Sequence, residues 1–124
     1  MTNAAADLGL LDLDAWDRLE PVETKRRELV DGVLIVSPRP QAPHVVISSL
    51  LIVALADAGA LGLAEPELVL ADDAAATVRV PDLIVLRPGS QIPAGGRFAV
   101  SDVMLAVEIV APGSLRTDWS VPDR

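Results

Sequence analysis

Two apolar segments of this 124-residue chain are each interrupted by a single carboxylate, and this feature constrains the fold most. Asp82 follows Pro81 within the segment Val78–Leu86, and Glu108 lies within Met104–Val110. Both segments are typical of buried β-strands. A buried carboxylate is costly, and two of them ~4 Å apart repel each other by about 4 kcal/mol at an effective dielectric constant near 20. A fold that buries both acids must therefore supply a compensating positive charge.

A divalent cation is one source of that charge. Mg²⁺ and Mn²⁺ prefer oxygen ligands from carboxylates and backbone carbonyls, and they keep water in their remaining positions. The alternative is that each acid is solvated or paired with an arginine, and Arg79 and Arg87 are candidates close in the sequence. If the two acids repel each other, replacing either of them with alanine should cost little stability.

Composition excludes several classes of function. The chain has no cysteine, no tyrosine and a single histidine, His44, which excludes thiol chemistry and all-histidine metal sites. Aromatic residues make up only 2%, too few for base-stacking platforms. Hydrophobic residues make up 51%, so a disordered chain is excluded, and the length fits one domain over residues 1–124. The formal net charge of −8 argues against binding nucleic acid through a bare basic patch, so phosphate chemistry would require a cation.

The patterns of turns and apolar runs predict a mixed β-sheet flanked by helices, an α/β or α+β fold in the order αββαβββ. Asp31-Gly32 predicts a two-residue turn between strands over about 27–30 and 33–36. Glu28 is expected on the face of its strand opposite Leu29, and therefore exposed. Further strands are expected at about 68–71, 77–80, 82–86 and 103–110.

Two helices are predicted. The first covers about 11–20 and the second about 44–58, where Gly59 can end it in a left-handed conformation. The most apolar part of the second, Val45–Ala56, is shorter than the about 20 residues that cross a bilayer. It is therefore interpreted as a buried helix.

An ordered series of short motifs resembles a known family. In chain order the motifs are Arg27-Glu28-Leu29-Val30-Asp31-Gly32, Pro43-His44, Pro81-Asp82-Leu83, Val107-Glu108-Ile109-Val110, Pro112-Gly113-Ser114 and Thr117-Asp118. In order and spacing this series resembles the Uma-two family of endonucleases, members of the PD-(D/E)xK restriction-endonuclease-like superfamily. The resemblance covers about residues 10–118, nearly the whole chain.

This resemblance implies a restriction-endonuclease-like core and a metal-dependent enzyme that hydrolyses DNA phosphodiester bonds. Asp82 and Glu108 resemble the family's metal-binding acids, with the carbonyl of Ile109 as a further ligand to Mg²⁺ or Mn²⁺. Glu28 resembles the acid of the family's hairpin. His44, at the expected start of the second helix, is either a cap or surface residue or a ligand or proton-transfer group. The predicted catalytic set is therefore Asp82, Glu108, Glu28 and His44.

The sequence departs from the family pattern at a catalytic position. The superfamily requires a lysine near the last acid, but Val110 stands at the ordinary position, residues 118–124 contain no lysine, and the sole lysine of the chain is Lys25. Arg116 stays protonated and cannot act as a base. We therefore expect a domain that is truncated or degenerate at its C-terminus, missing the C-terminal elements of the family.

Three classes of function are open at this point. The first is an active nuclease with DNA as its substrate. The second is a catalytically inactive remnant of the nuclease fold that acts as a binding or interaction module. The third is a β-rich interaction module whose acids face solvent.

Partners and location follow from the same patterns. The acidic residues 1–13 lack the basic start and apolar run of a secretory signal, so a cytoplasmic protein without membrane association is expected. An exposed apolar strand over 103–110 would favour self-association, which predicts a homodimer.

Overall fold

The computed structural model describes residues 8–110. The helices are α1 (Leu13–Asp17) and α2 (Ala42–Asp57), a 3-10 turn covers Val100–Asp102, and the strands are β1 (Lys25–Val30), β2 (Val33–Pro38), β3 (Gly62–Ala64), β4 (Glu67–Ala71), β5 (Thr77–Arg79), β6 (Leu83–Leu86), β7 (Arg97–Ala99) and β8 (Val103–Val107). The motifs at 112–114 and 117–118, Arg116 and the stretch 118–124 lie outside the described residues.

The strands form two sheets. One has five strands in the order β2-β1-β5-β4-β7, and all its neighbours are antiparallel except β4 and β7, which run parallel. The other has three antiparallel strands in the order β3-β6-β8. This mixed α+β architecture is consistent with a restriction-endonuclease-like fold and confirms the predicted fold class.

The predicted hairpin is confirmed. Asp31 and Gly32 both have positive φ, 49° and 81°, as a tight turn between twisted strands requires. The Gly32 carbonyl accepts a 2.8 Å hydrogen bond from the Leu11 N–H, and the Gly32 N–H donates a 2.8 Å hydrogen bond to the Ala76 carbonyl. A Cβ at Gly32 would lie 2.8 Å from the Cβ of Leu10, so the turn needs glycine for space as well as for φ. The hairpin tip is thereby tied to the N-terminal segment and to the start of β5.

Helix α1 is shorter than predicted and ends at Asp17. Its N-cap is Asp12, whose side chain accepts a 2.8 Å hydrogen bond from the Ala15 N–H. The helix brings Trp16, which is 7% exposed, onto one face of the five-stranded sheet. There it forms a hydrophobic cluster with Leu29, Ala76 and Val78.

Helix α2 is longer than predicted, and Gly59 follows its end with φ of 85°, as expected. The expectation that this helix is buried is wrong. It is apolar all round, so the face that does not pack against the protein is left exposed. Five apolar residues of α2 are between 46% and 64% exposed: Val45, Val46, Ile47, Leu50 and Val53. Within residues 8–110 no helix has the length and apolarity to cross a membrane.

The three-stranded sheet is centred on β6, whose four residues are at most 5% exposed. Both β6 and β8 are shorter than predicted. Strand β6 begins at Leu83, one residue after Asp82, and β8 ends at Val107, one residue before Glu108. The two acids therefore lie just beyond the strand ends. Strands β3 and β7 were not predicted, because these short segments are strands through their pairing with β6 and β4.

Candidate functional site

The site is built where β6 and β8 meet at one end of their sheet. These strands are antiparallel, and Leu83 pairs with Val107. The next position outward places Asp82 opposite Glu108, so the register itself brings the two acids together. Asp82 is buried at 2% exposure, whereas Glu108 lies at the rim of the sheet and is exposed as a residue.

Strand β1 of the other sheet supplies the opposite wall of the site. Side chains alternate along a strand, so Arg26 and Glu28 share one face while Arg27 and Leu29 share the other. The Arg26 and Glu28 side chains are 13% and 16% exposed. The expectation that Glu28 is exposed is therefore wrong, because the segment 79–82 covers the face of β1 that was assigned to solvent.

Arg26 and Glu28 together hold the backbone of Val80. The Val80 N–H donates a 2.7 Å hydrogen bond to Oε2 of Glu28, and the Val80 carbonyl accepts a hydrogen bond from Nη2 of Arg26. Arg79 adds an ion pair to Glu28, with Nε 3.3 Å from Oε2. We call the two hydrogen bonds that Val80 makes with Glu28 and Arg26 the Val80 clamp. It fixes the segment that leads through Pro81 to Asp82.

Asp82 is surrounded by hydrogen-bond donors. Its Oδ1 accepts a 2.7 Å hydrogen bond from Nη1 of Arg26, and its Oδ2 accepts a 2.6 Å hydrogen bond from the Ile109 N–H. Burial by itself would raise the pKa of Asp82, but the Ile109 hydrogen bond and the adjacent Arg26 guanidinium lower it overall. Asp82 is therefore an ionised carboxylate inside the protein, and the expectation that its removal costs little stability no longer holds.

His44 lies beside the same carboxylate. As the third residue of α2 it brings Nε2 to 3.0 Å from Oδ1 of Asp82, an ion pair whenever the imidazole is protonated. Nε2 and Oδ1 are close enough for a hydrogen bond, but the ring is not aligned for one, so the contact is electrostatic. Within the described residues Nε2 is buried and has no hydrogen-bond partner. His44 thus places a buried imidazole nitrogen against the Asp82 carboxylate.

Glu108 lies beside Asp82, and its pKa is shifted by that position. Burial of its carboxyl group, the negative charge of Asp82 and a hydrogen bond to Asp82 raise the pKa of Glu108 to about 7, against the smaller opposing effect of Arg26. The strand register and the influence of Asp82 on this pKa both indicate that the two acids are neighbours.

The structure brings together three of the four predicted catalytic residues, Asp82, Glu108 and His44. The fourth, Glu28, acts on the neighbouring backbone. Ile109 follows Glu108 in the chain, and its N–H donates a hydrogen bond to Asp82.

Sequence reasoning missed Arg26. The arginines it named contact other groups: Arg79 pairs with Glu28, and Nε of Arg87 donates to the Ser101 carbonyl. The sequence did contain a signal for Arg26. It stands two residues before Glu28 in β1, so the two side chains must lie on the same face of that strand.

The donor set fits a small, hard cation in part. Among residues 8–110 there is no cluster of three or more His, Cys, Asp and Glu side chains arranged to hold a metal ion. Mg²⁺, however, is commonly bound by one or two carboxylates with water in the remaining positions. Asp82 and Glu108 match that arrangement, and a cation at Asp82 would meet Arg26 there.

A groove of about 240 Å³ adjoins the site and shares Arg26 and Val80 with it. The chain as a whole is acidic, but four basic residues line this groove together with three acidic ones. The charged residues that line it are Lys25, Arg26, Arg27, Arg39, Glu23, Glu65 and Glu67.

The chain matches the model of a known protein family. The family model Uma2, described as "Putative restriction endonuclease", matches residues 13–119 and so spans the hairpin, the histidine and both acids. No curated protein and no solved structure matches the chain.

Proposed function

Because the chain belongs to the Uma2 family of restriction-endonuclease-like proteins, we propose that it is a metal-dependent endonuclease that hydrolyses DNA phosphodiester bonds. The observation that carries this proposal is the convergence of Asp82 and Glu108 at the adjoining ends of β6 and β8. Two carboxylates in electrostatic contact, one of them with a pKa raised to about 7, form a site that a divalent cation would stabilise.

Asp82 and Glu108 would hold Mg²⁺ or Mn²⁺, with the Ile109 carbonyl as the further ligand implied by the family. When bound, such a cation supplies positive charge to the phosphate and lowers the pKa of water in its coordination shell. Glu108 must give up its proton to become a ligand, and a pKa near 7 makes this loss inexpensive at neutral pH.

His44 is the proposed proton acceptor. Hydrolysis adds a water oxygen to phosphorus, breaks the bond from phosphorus to the leaving sugar oxygen, and releases a proton from the water. In the tautomer with its proton on Nδ1, His44 takes up that proton at Nε2, the atom without a hydrogen-bond partner. The Asp82 carboxylate, 3.0 Å away, would be the ion-pair partner of the resulting imidazolium. This role would replace the lysine that the sequence lacks.

Glu28 is assigned a positioning role. It holds the Val80 N–H and so places Asp82 without touching the reacting atoms.

The groove beside the site offers contacts to the DNA backbone. Lys25 and Arg39 both line it and are exposed, and Lys25 lies next to Arg26 in β1. Local positive charge of this kind compensates for the net charge of −8 when a polyanion approaches.

The test is nicking of supercoiled plasmid with Mn²⁺. Wild-type protein should nick the plasmid, whereas Asp82→Asn and Glu108→Gln should each reduce the rate at least about a hundredfold, because each removes a charged ligand. Asp57→Asn, which removes an exposed acid at the end of α2, is the matched control and should leave the rate unchanged. Nicking that persists in both site variants would contradict the proposal.

A second candidate function is the catalytically inactive remnant, which acts as a binding or interaction module. It is favoured by the ion pair that Arg26 already makes with Asp82 and by the small number of acidic ligands among the described residues. It predicts a folded wild-type protein that does not nick plasmid and does not bind Mn²⁺ in calorimetry even when a phosphodiester is present.

We also propose that the chain forms a homodimer through β8. Among the described strands β8 pairs with β6 alone, and its residues Met104 and Leu105 are 50% and 53% exposed. Exposed apolar edges favour self-association. Light scattering should give a mass near twice 13.0 kDa, and a 13.0 kDa particle at high concentration would contradict this part of the proposal.

A further inference from the structure

Arg26 is the residue that most directly determines what else can bind at Asp82. Its side chain is 13% exposed, and its two terminal nitrogens are both engaged, one by Asp82 and the other by the Val80 carbonyl. It is therefore a fixed positive charge within the site, and its position is set by β1 and by the Val80 clamp.

Arg26 uses the carboxylate oxygen that a metal ion would need. Oδ2 of Asp82 accepts the Ile109 N–H over 2.6 Å, and Oδ1 accepts Nη1 of Arg26 over 2.7 Å. A divalent cation bound to Asp82 must share or displace one of these donors. Two positive charges a few ångströms apart repel each other strongly in a partly buried site, so Arg26 opposes the approach of a cation.

The formal charges show what would relieve this repulsion. With the cation, Arg26, Asp82 and Glu108 all charged, the site carries one excess positive charge. A phosphodiester group carries one negative charge, and a guanidinium can bind a phosphate through two parallel hydrogen bonds. A phosphodiester at the site would thus neutralise the excess charge and give Arg26 a new acceptor in place of Asp82.

We propose that Arg26 is a resident counter-ion that competes with the divalent cation for Asp82 and makes binding of that cation depend on a phosphodiester anion. This inference rests on the proposed function, because it takes Asp82 and Glu108 as the cation ligands. Its consequence is that the protein alone binds cations weakly and binds them well only together with a phosphodiester. The two ligands are then coupled, and each raises the affinity of the site for the other.

The experiment is a calorimetric titration with Mn²⁺ in the absence of nucleic acid. Arg26→Met should bind Mn²⁺ at least about tenfold more tightly than wild type, because the competing charge is gone. Arg27→Met is the matched control: it makes the same change one residue away, on the other face of β1, and should bind Mn²⁺ like wild type. A role of Arg26 in folding alone would weaken Mn²⁺ binding in Arg26→Met, so the direction of the change separates the two roles.

The second arm adds dimethyl phosphate, a phosphodiester monoanion, to the same titrations. It should raise the Mn²⁺ affinity of wild type by at least about fivefold and that of Arg26→Met by much less. Thermal unfolding shows whether each variant is folded. If Arg26→Met is not, Arg26→Gln replaces it, since glutamine removes the charge but keeps a hydrogen-bond donor.

Provided that Mn²⁺ binding is detected and that Asp82→Asn abolishes it, two outcomes would overturn the inference: a folded Arg26 variant that binds Mn²⁺ no more tightly than wild type, or a wild-type affinity that dimethyl phosphate leaves unchanged. Failure of the proposed function looks different. In that case neither wild type nor the Arg26 variants bind Mn²⁺ with or without dimethyl phosphate, or Asp82→Asn binds it as they do.

Discussion

The two faces of strand β1 are built from alternating residues yet carry different chemistry. One face presents Leu29, which is fully buried, to the cluster around Trp16, and Arg27 lies over the Trp16 ring, 5.7 Å from its centroid. The other face presents Arg26 and Glu28 to the segment 79–82. A single short strand therefore serves both the hydrophobic core and the candidate site.

The difference lies in what each face needs from its partners. The apolar face needs only volume and shape, and several residues could provide them. The polar face needs particular atoms at particular places: the N–H and carbonyl of Val80 and the carboxylate of Asp82. Burial stabilises the first face, while the second is stabilised only if every donor and acceptor is matched.

The largest effect is expected from Leu29→Ala on the apolar face. Leu29 is fully buried, so the substitution leaves a cavity and should lower the free energy of unfolding by about 3 kcal/mol, as measured by urea denaturation. Leu8→Ala, at a residue 78% exposed and outside the proposed dimer face, is the control and should cost less than about 0.5 kcal/mol. Equal losses in the two variants would show that the face of β1 packed on Trp16 is not part of the core.

A smaller effect is expected on the polar face from Glu28→Ala. It removes the acceptor of the Val80 N–H and should lower the free energy of unfolding by about 2 kcal/mol. Glu28→Gln keeps an oxygen acceptor and should recover most of that loss. If glutamine is as destabilising as alanine, then the ion pair with Arg79, and not the Val80 clamp, is what Glu28 contributes.

The smallest effect is a dependence of stability on pH that belongs to the polar face alone. The pKa of Glu108 is about 7 in the folded protein, above its ordinary value of 4.5, so the folded state binds the proton more tightly than the unfolded state. Stability should therefore fall as pH rises from about 4.5 through about 7. The pKa of Asp82 is lowered from 3.8, so its contribution is present above pH 3.8 and is lost at lower pH.

Thermal unfolding from pH 3 to 8.5 measures this dependence. Glu108→Gln should remove the fall between pH 4.5 and 7 and keep the loss at acid pH. The fall should be modest, because Glu108 lies at the rim where water screens charge. A wild-type protein whose melting temperature does not change between pH 5 and 8 would contradict the contact between the two acids.

The sequence predicted those parts of the fold that depend on neighbours in the chain. The Asp31-Gly32 turn follows from the φ values that a tight hairpin requires, and the end of α2 before Gly59 follows from the same preference. The very short strands β3 and β7 were missed because they exist through pairing with β6 and β4, which no local pattern reveals.

For the site, the sequence identified the two acids and the histidine but not what holds them. Asp82 and Glu108 were recognisable because a charge within an apolar strand is unusual. Arg26 was not, because its contact with Asp82 spans 56 positions in the chain and an arginine in a hairpin strand is ordinarily solvated. Exposure of the apolar face of α2 was likewise unpredictable, because periodicity shows which residues are apolar but not how many partners they will find.

The Val80 clamp has a consequence for sequence variation. Its hydrogen bonds use the main-chain atoms of residue 80, so the identity of that side chain is constrained by packing volume and not by the site. Isoleucine should be accommodated there, whereas proline, which lacks the N–H, should not. Apolar substitutions of similar volume at position 80 should therefore leave the candidate site unchanged, and proline alone should disrupt it by removing the N–H.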